Sequence, residues 1–119
     1  VIALALACRI AVAAVWLVFG LVFKAADVVP RHRAIVARVL GERWSRPVIL
    51  AVAFGEATLG AWMLWGRALP ICAAVQSVAI VTMNTLELRY ARDLLLSPRL
   101  MLLANAALLS AAWYAALAR

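Results

Sequence analysis

The stretch PVILAVAFGEATLGAWMLWG, residues 47–66, is apolar almost throughout and carries a single ionisable side chain, Glu56, near its middle. About 20 residues at 1.5 Å rise per residue cover the roughly 30 Å of a bilayer's hydrocarbon core, so this stretch predicts a membrane-spanning helix. A charged group at that depth costs roughly 3 kcal/mol on insertion scales; it faces the protein interior and needs a partner. Arg9, Gln76, Asn84, Glu87 and Asn105 are the polar residues available to it elsewhere in the chain.

The composition agrees with a membrane class. Hydrophobic residues make up 69% and charged residues 14% of the 119 positions, with a mean hydropathy of +1.04. Soluble domains run near 45–50% apolar and about 25% charged, and one of this size has no interior large enough to hide so much apolar surface. Three further stretches have spanning length and character: residues 2–23, 69–88 and 99–117. The first is longer than the apolar core of a secretory leader and has no A-x-A-like cleavage site before a polar start, so it reads as a retained helix. The chain opens on Val1 rather than Met, and residues are expected to precede it. The fold expected is all-α: a transmembrane up-down-up-down four-helix bundle, a single integral membrane domain over residues 1–119.

The connections differ in character. Residues 24–46 form a basic loop, Arg67 and Ala68 a tight turn, and residues 89–98 a medium loop. Pro30 suits a helix's first turn, and Ile35, Val36, Val39 and Leu40 then fall on one side with Arg31, Arg38 and Glu42 on another. That pattern predicts a short amphipathic helix over about residues 30–41 lying in the membrane interface, with Trp44 as an anchor. The first and third connections carry Lys24, Arg31, Arg33, Arg38, Arg43, Arg46, Arg89, Arg92 and Arg99, whereas the opposite side has only Arg67 and Arg119. Basic loops stay in the cytoplasm, so both termini are expected outside, in a bacterial-type inner membrane. The net charge of +7 is thereby a topology signal and an attraction to anionic lipid, and calls for no nucleic-acid partner.

Helical phase separates bundle-facing from lipid-facing residues. Val52, Glu56, Leu59, Gly60 and Met63 share one face of the second span, opposite Phe54, Trp62 and Trp65; Cys72, Gln76, Ile80, Met83 and Glu87 form a stripe on the third, with Asn84 at its edge. Arg9, Ala13, Trp16, Gly20 and Phe23 align on the first span, and Met101, Asn105, Leu108 and Ala112 on the fourth. Counted at 1.5 Å per residue, Glu56 lies about 14 Å from the cytoplasmic end, Gln76 about 20 Å, Asn105 about 9 Å and Asn84 about 6 Å, with Glu87 and Lys24 near the boundary. These residues predict a polar ladder from mid-membrane inward. Arg9 lies about 8 Å above Glu56 by the same count, within reach of a bent side chain, and an Arg9–Glu56 ion pair is the expectation. The rival is an outward-snorkelling Arg9 above a protonated Glu56.

The spacing Arg9-x6-Trp16-x3-Gly20-x3-Lys24, the Gly55-Glu56 pair with Gly60, and a last span that follows Ser97-Pro98 and contains Asn105 together resemble the DoxX-like family of small four-span membrane proteins. The resemblance implies a four-helix bundle that, in some members, is associated with membrane redox systems feeding the quinone pool. It points to an accessory membrane subunit or anchor of an oxidoreductase rather than an enzyme acting alone, with other membrane subunits as partners. A non-catalytic structural or assembly subunit is the alternative, and a small transporter, which would need dimerisation or another form of homo-oligomer, a third.

The remaining chemistry has two readings at each point. Glu56, Gln76, Asn84 and Asn105 suit the headgroup of a quinone or lipid, or simply clamp helices together. Trp16 is either a wall for a flat ligand or packing, and Lys24 and His32 stand at the inner mouth of the ladder. Cys8 and Cys72 fall at similar depth, where a disulfide or thiol relay is conceivable in an oxidising compartment, although buried Cys is commonly just a small apolar residue. One His and two separated Cys provide no metal-ligand spacing.

Overall fold

The computed structural model describes residues 2–118. Helix α1 (Ile2–Leu17) continues without a break into a π-helical segment, Val18–Ala25; α2 (Pro30–Leu40), α3 (Glu42–Trp65) and α4 (Leu69–Tyr90) follow, then a 3₁₀ turn, Arg92–Leu94, and α5 (Pro98–Leu117). Four of these rods, Ile2–Ala25, Glu42–Trp65, Leu69–Tyr90 and Pro98–Leu117, are long and apolar enough to cross a membrane. The molecule is 45 Å long, matching the roughly 40–45 Å of a bilayer with its headgroups. The described part of the protein is therefore an all-α bundle of four candidate spans with one short helix between the first two.

Local sequence sets the boundaries. Pro30, Pro70 and Pro98 lie in the first turns of α2, α4 and α5, where a missing backbone N–H costs nothing. Ser97 caps α5 by accepting the N–H of Leu100 at 3.3 Å. Gly66 ends α3 in the left-handed region, φ 79°. The helix that carries the second span starts before its apolar run: it begins at Glu42 and runs through Pro47, so the polar segment Glu42–Arg46 extends the rod beyond its apolar part.

Contacts along the rods show alternate directions. Arg9 lies beside Gly66, Ala13 and Leu17 beside Gly60, and Gly20 beside Ala53 and Ala57, so α1 and α3 are antiparallel. Asn84 meets Asn105 and Ser77 meets Trp113, so α4 and α5 are antiparallel too. Helix α1 packs between α3 and α5, and α4 closes the ring against α5, with a sparser seam against α3. The core through the upper bundle is Val12, Ala13, Trp16, Met63, Cys72 and Ala73, sealed by the alanines of α5.

Two glycines let α1 and α3 touch backbone to backbone. A Cβ on Gly20 would stand 2.6 Å from the carbonyl oxygen of Ala53, and one on Gly60 would stand 2.9 Å from that of Ala13. Small residues at such crossings are how helices gain close packing in lipid, where no hydrophobic driving force separates protein from solvent. Gly55 faces away from this crossing, and a Cβ there would meet nothing within 4 Å.

The obstacle at Gly20 is a carbonyl rather than a flexible side chain, so Gly20→Ala is expected to push the two helices apart and cost about 1–3 kcal/mol. Thermal unfolding in detergent checks this against Gly55→Ala, which is expected to leave stability unchanged or slightly raised.

Candidate functional site

The π-helical end of the first span decides where the polar residues meet. Regular α-helical phase aligns Phe23 with Trp16 and Gly20, but from Val18 onward the turns are underwound, and beyond them the N–H of Ala26 reaches back to the carbonyl of Leu21 at 3.1 Å. Wider turns bring residues four apart onto one line, so Trp16, Gly20 and Lys24 follow each other down the inner face. The Lys24 ammonium consequently donates to both carboxylate oxygens of Glu56, at 2.7 and 3.0 Å. The pair is nearly closed to solvent, with side-chain exposures of 11% and 6%.

The Arg9–Glu56 pair expected from the sequence is thus corrected. Arg9 stays at the opposite end of α1, with its guanidinium over Gly66 at a place where a Cβ would stand 2.7 Å from Nη1. Counting residues missed the true pair because it assumes α-helical phase to the end of the span.

The expected ladder resolves into three separate units. In the upper core, Trp16 Nε1 donates to Gln76 Oε1 at 2.8 Å, and Gln76 Nε2 points to the sulfurs of Met63 and Cys72 at 3.2 and 3.3 Å. Lower down stands the Lys24–Glu56 pair. Across the bundle, Asn105 Nδ2 donates to Asn84 Oδ1 at 2.9 Å. Gln76 is fully buried and belongs to the packed core, whereas Trp16, Lys24, Glu56, Asn84, Glu87 and Asn105 share the wall of one cavity of about 530 Å³.

This cavity lies in the basic end of the bundle, where Val48, Ile49 and Val52 of α3, Ile80 and Met83 of α4, and Met101 and Leu108 of α5 form its apolar sides. Its remaining side is α2. Ile35, Val36, Val39 and Leu40, read from the sequence as the membrane-facing stripe of an interfacial helix, line the cavity. Periodicity announced an apolar surface beneath α2, but could not distinguish lipid from a protein hollow. A mostly apolar space of a few hundred Å³ with a few convergent polar groups is the usual form of a small-molecule site.

Helix α2 brings two polar residues to this wall, Arg31 and His32, and the more unusual environment is that of His32. Its ring stacks on Phe19 at 6.1 Å between centroids, and its Nδ1 is buried without a hydrogen-bond partner. Burial foremost, then the charges of Lys24 and Arg31, push its pKa down to about 4, so the imidazole is neutral at physiological pH. Sequence reading also missed the contact that fixes the far side of α2: Arg38 holds Asp93 of the 3₁₀ turn through two hydrogen bonds, 2.7 and 3.1 Å. That contact keeps the Asp93 carboxyl below its ordinary range.

Other expected site residues stand apart. Cys8 and Cys72 are free thiols; the disulfide considered from their depth is not formed, and Cys72 packs in the core against Gln76. Trp62, which helical phase puts on the lipid-facing side, and Trp113 are half-buried and donate to the Arg67 carbonyl and the Ser77 hydroxyl, both satisfied within the protein. Among the described residues no group of three or more His, Cys, Asp or Glu side chains is placed to hold a metal ion.

The profile of the DoxX-like family matches residues 13–113. The chain belongs to the DoxX-like family. The match reaches into all four candidate spans of this DoxX-like protein and takes in every residue lining the cavity. No curated protein and no solved structure matches the chain.

Two outcomes follow from the site's electrostatics. Lys24→Met leaves Glu56 buried without its partner and is expected to cost about 3–5 kcal/mol, while the double substitution Lys24→Met with Glu56→Met recovers most of that loss; denaturation of the purified variants measures both. The folded-state pKa of His32, about 4, lies below the ordinary value near 6.5, so the unfolded chain binds more protons between these limits and stability rises with pH across that window. Acidification from pH 7 to 4 is therefore expected to lower the melting temperature of the parent more than that of His32→Gln, and equal pH profiles would refute this account of His32.

Proposed function

We propose that this DoxX-like protein is an integral membrane subunit of a quinone-linked oxidoreductase system, and that the cavity at its basic end holds the head of the quinone. The observation that carries this reading is the cavity itself: about 530 Å³, within the roughly 300–1,000 Å³ of small-molecule sites, with mostly apolar walls and a few polar groups among them. A quinone combines an apolar isoprenoid body with two carbonyl acceptors. The groups beside the space suit carbonyl recognition, because an ammonium and two carboxamides supply N–H donors. Charge on the wall is nearly balanced, Lys24 and Arg31 against Glu56 and Glu87, which favours a neutral head over an anionic one. Electrons in this reading come from a partner subunit, which the basic connections dock.

A specific observation favours the second reading, a structural or assembly subunit. The polar groups are already hydrogen-bonded to each other, Trp16 to Gln76, Lys24 to Glu56 and Asn105 to Asn84, as a clamp between helices requires. Mild-detergent purification from the native source, with solvent extraction of the preparation, separates the two. The redox reading expects quinone near one equivalent per chain and co-purifying oxidoreductase subunits. It also expects Glu56→Gln to lose most of the quinone and the complex's turnover while assembly survives. A preparation free of quinone, or loss of assembly with no separable catalytic defect, would replace it with the structural reading.

A further inference from the structure

Helix α2 is held differently on its two long sides. Along one side it packs extensively against α3, and against α4 and the 3₁₀ turn only sparingly. The α3 side is also tied near the chain connections: Arg33 lies 3.6 Å from Asp27 and 4.0 Å from Glu42, the residues flanking α2, and Arg46 of α3 donates to the carbonyl of Ala25 at 3.0 Å. On the other side the polar contact is Arg38 with Asp93, and both side chains are open to solvent, 45% and 64% exposed.

The two connections that carry α2 have unusual backbones. Asp27 stands at φ 57°, in the left-handed region that Asp tolerates better than most residues. Gly41, the single residue between α2 and α3, has φ 98° and ψ 153°, a conformation essentially confined to glycine. A Cβ there would meet nothing within 4 Å, so glycine is required by the chain's path and not by crowding. The first connection, residues 26–29, thus has one left-handed residue, and the second is Gly41 alone.

From these contacts we infer that α2 is a gate over the cavity: it swings about its α3 side on Asp27 and Gly41, and Arg38–Asp93 is the latch on the side that opens. The opening lies between the cavity-lining face of α2 and the segment Leu95–Ser97, which lines the same cavity. Leu96 is the most exposed large apolar residue of the described chain, 85%, and gives the portal an apolar lip. A ligand entering there is a membrane-dissolved amphiphile arriving from the bilayer boundary, head first toward Lys24 and Glu56. The strength of the latch suits the task. An ion pair open to solvent contributes little net stability, enough to bias a gate and too little to lock it, and added salt weakens such a pair further.

The inference concerns access to the cavity assigned above, and its test needs no quinone, so either can fail without the other. Met83, on the cavity wall, is replaced by Cys, and its rate of modification by N-ethylmaleimide is measured in detergent, with the parent's own cysteines as background. Arg38→Asp and Asp93→Arg, each added singly, are expected to raise the rate about two- to five-fold, the range set by an exposed pair. The combined exchange Arg38→Asp with Asp93→Arg is expected to return it toward the parent value, and raising ionic strength should accelerate labelling in the parent but not in the single variants. Equal rates in the parent and both single variants, or accelerated labelling that the exchange does not reverse, would overturn the gate.

Discussion

The protein is arranged around one buried ion pair. Glu56 is buried within a helix long and apolar enough to cross a membrane, and an unpaired carboxylate there would weaken the whole bundle. Lys24 reaches it only because the first span ends in π-helical turns and because Gly20, one step above, allows α1 and α3 to meet at backbone distance. The pair thereby fixes the register of two helices and leaves the space beside it unfilled. The cavity and its polar groups lie beside that pair, below the backbone crossing of α1 and α3 and along the sparse seam between α3 and α4.

Much of this was legible in the residues. Four spans follow from apolar length, and the inward faces of α3 and α4 follow from spacing: Glu56, Leu59, Gly60 and Met63, and Cys72, Gln76 and Ile80, are all buried as periodicity requires. The partner of Glu56 was not, because helical phase is counted at an assumed 3.6 residues per turn and nothing in VFGLVFKA announces underwinding. A lysine at the end of a span reads as an interfacial anchor, and an arginine inside the span reads as the group in need of a partner. In the protein these roles are exchanged. Arg9 remains by the turn at the far end of the bundle, over Gly66, and Lys24 is turned toward the bundle interior.

The site was legible in content more than in arrangement. Its polar residues could be named, but a list ordered by depth suggests one continuous ladder, whereas side chains choose partners laterally. Gln76 turns to Trp16 and two sulfurs, and Asn105 to Asn84. The role of α2 was hidden for another reason. An amphipathic stripe states that something apolar lies beneath it, and the same stripe fits acyl chains or the hollow of a protein. Only the tertiary contact between Arg38 and Asp93, 55 positions apart, shows what the helix closes against.

The π-helical segment also says how the span tolerates a change in chain length. Removing a single residue between Val18 and Phe23 would let those turns relax to ordinary α-helix, and the lysine would then follow Trp16 by seven positions, about 700° of rotation at about 100° per residue, which keeps it on the inner face. Within the family, a gap of one position before the lysine is therefore compatible with the same ion pair, the extra residue of this chain being absorbed as wider turns.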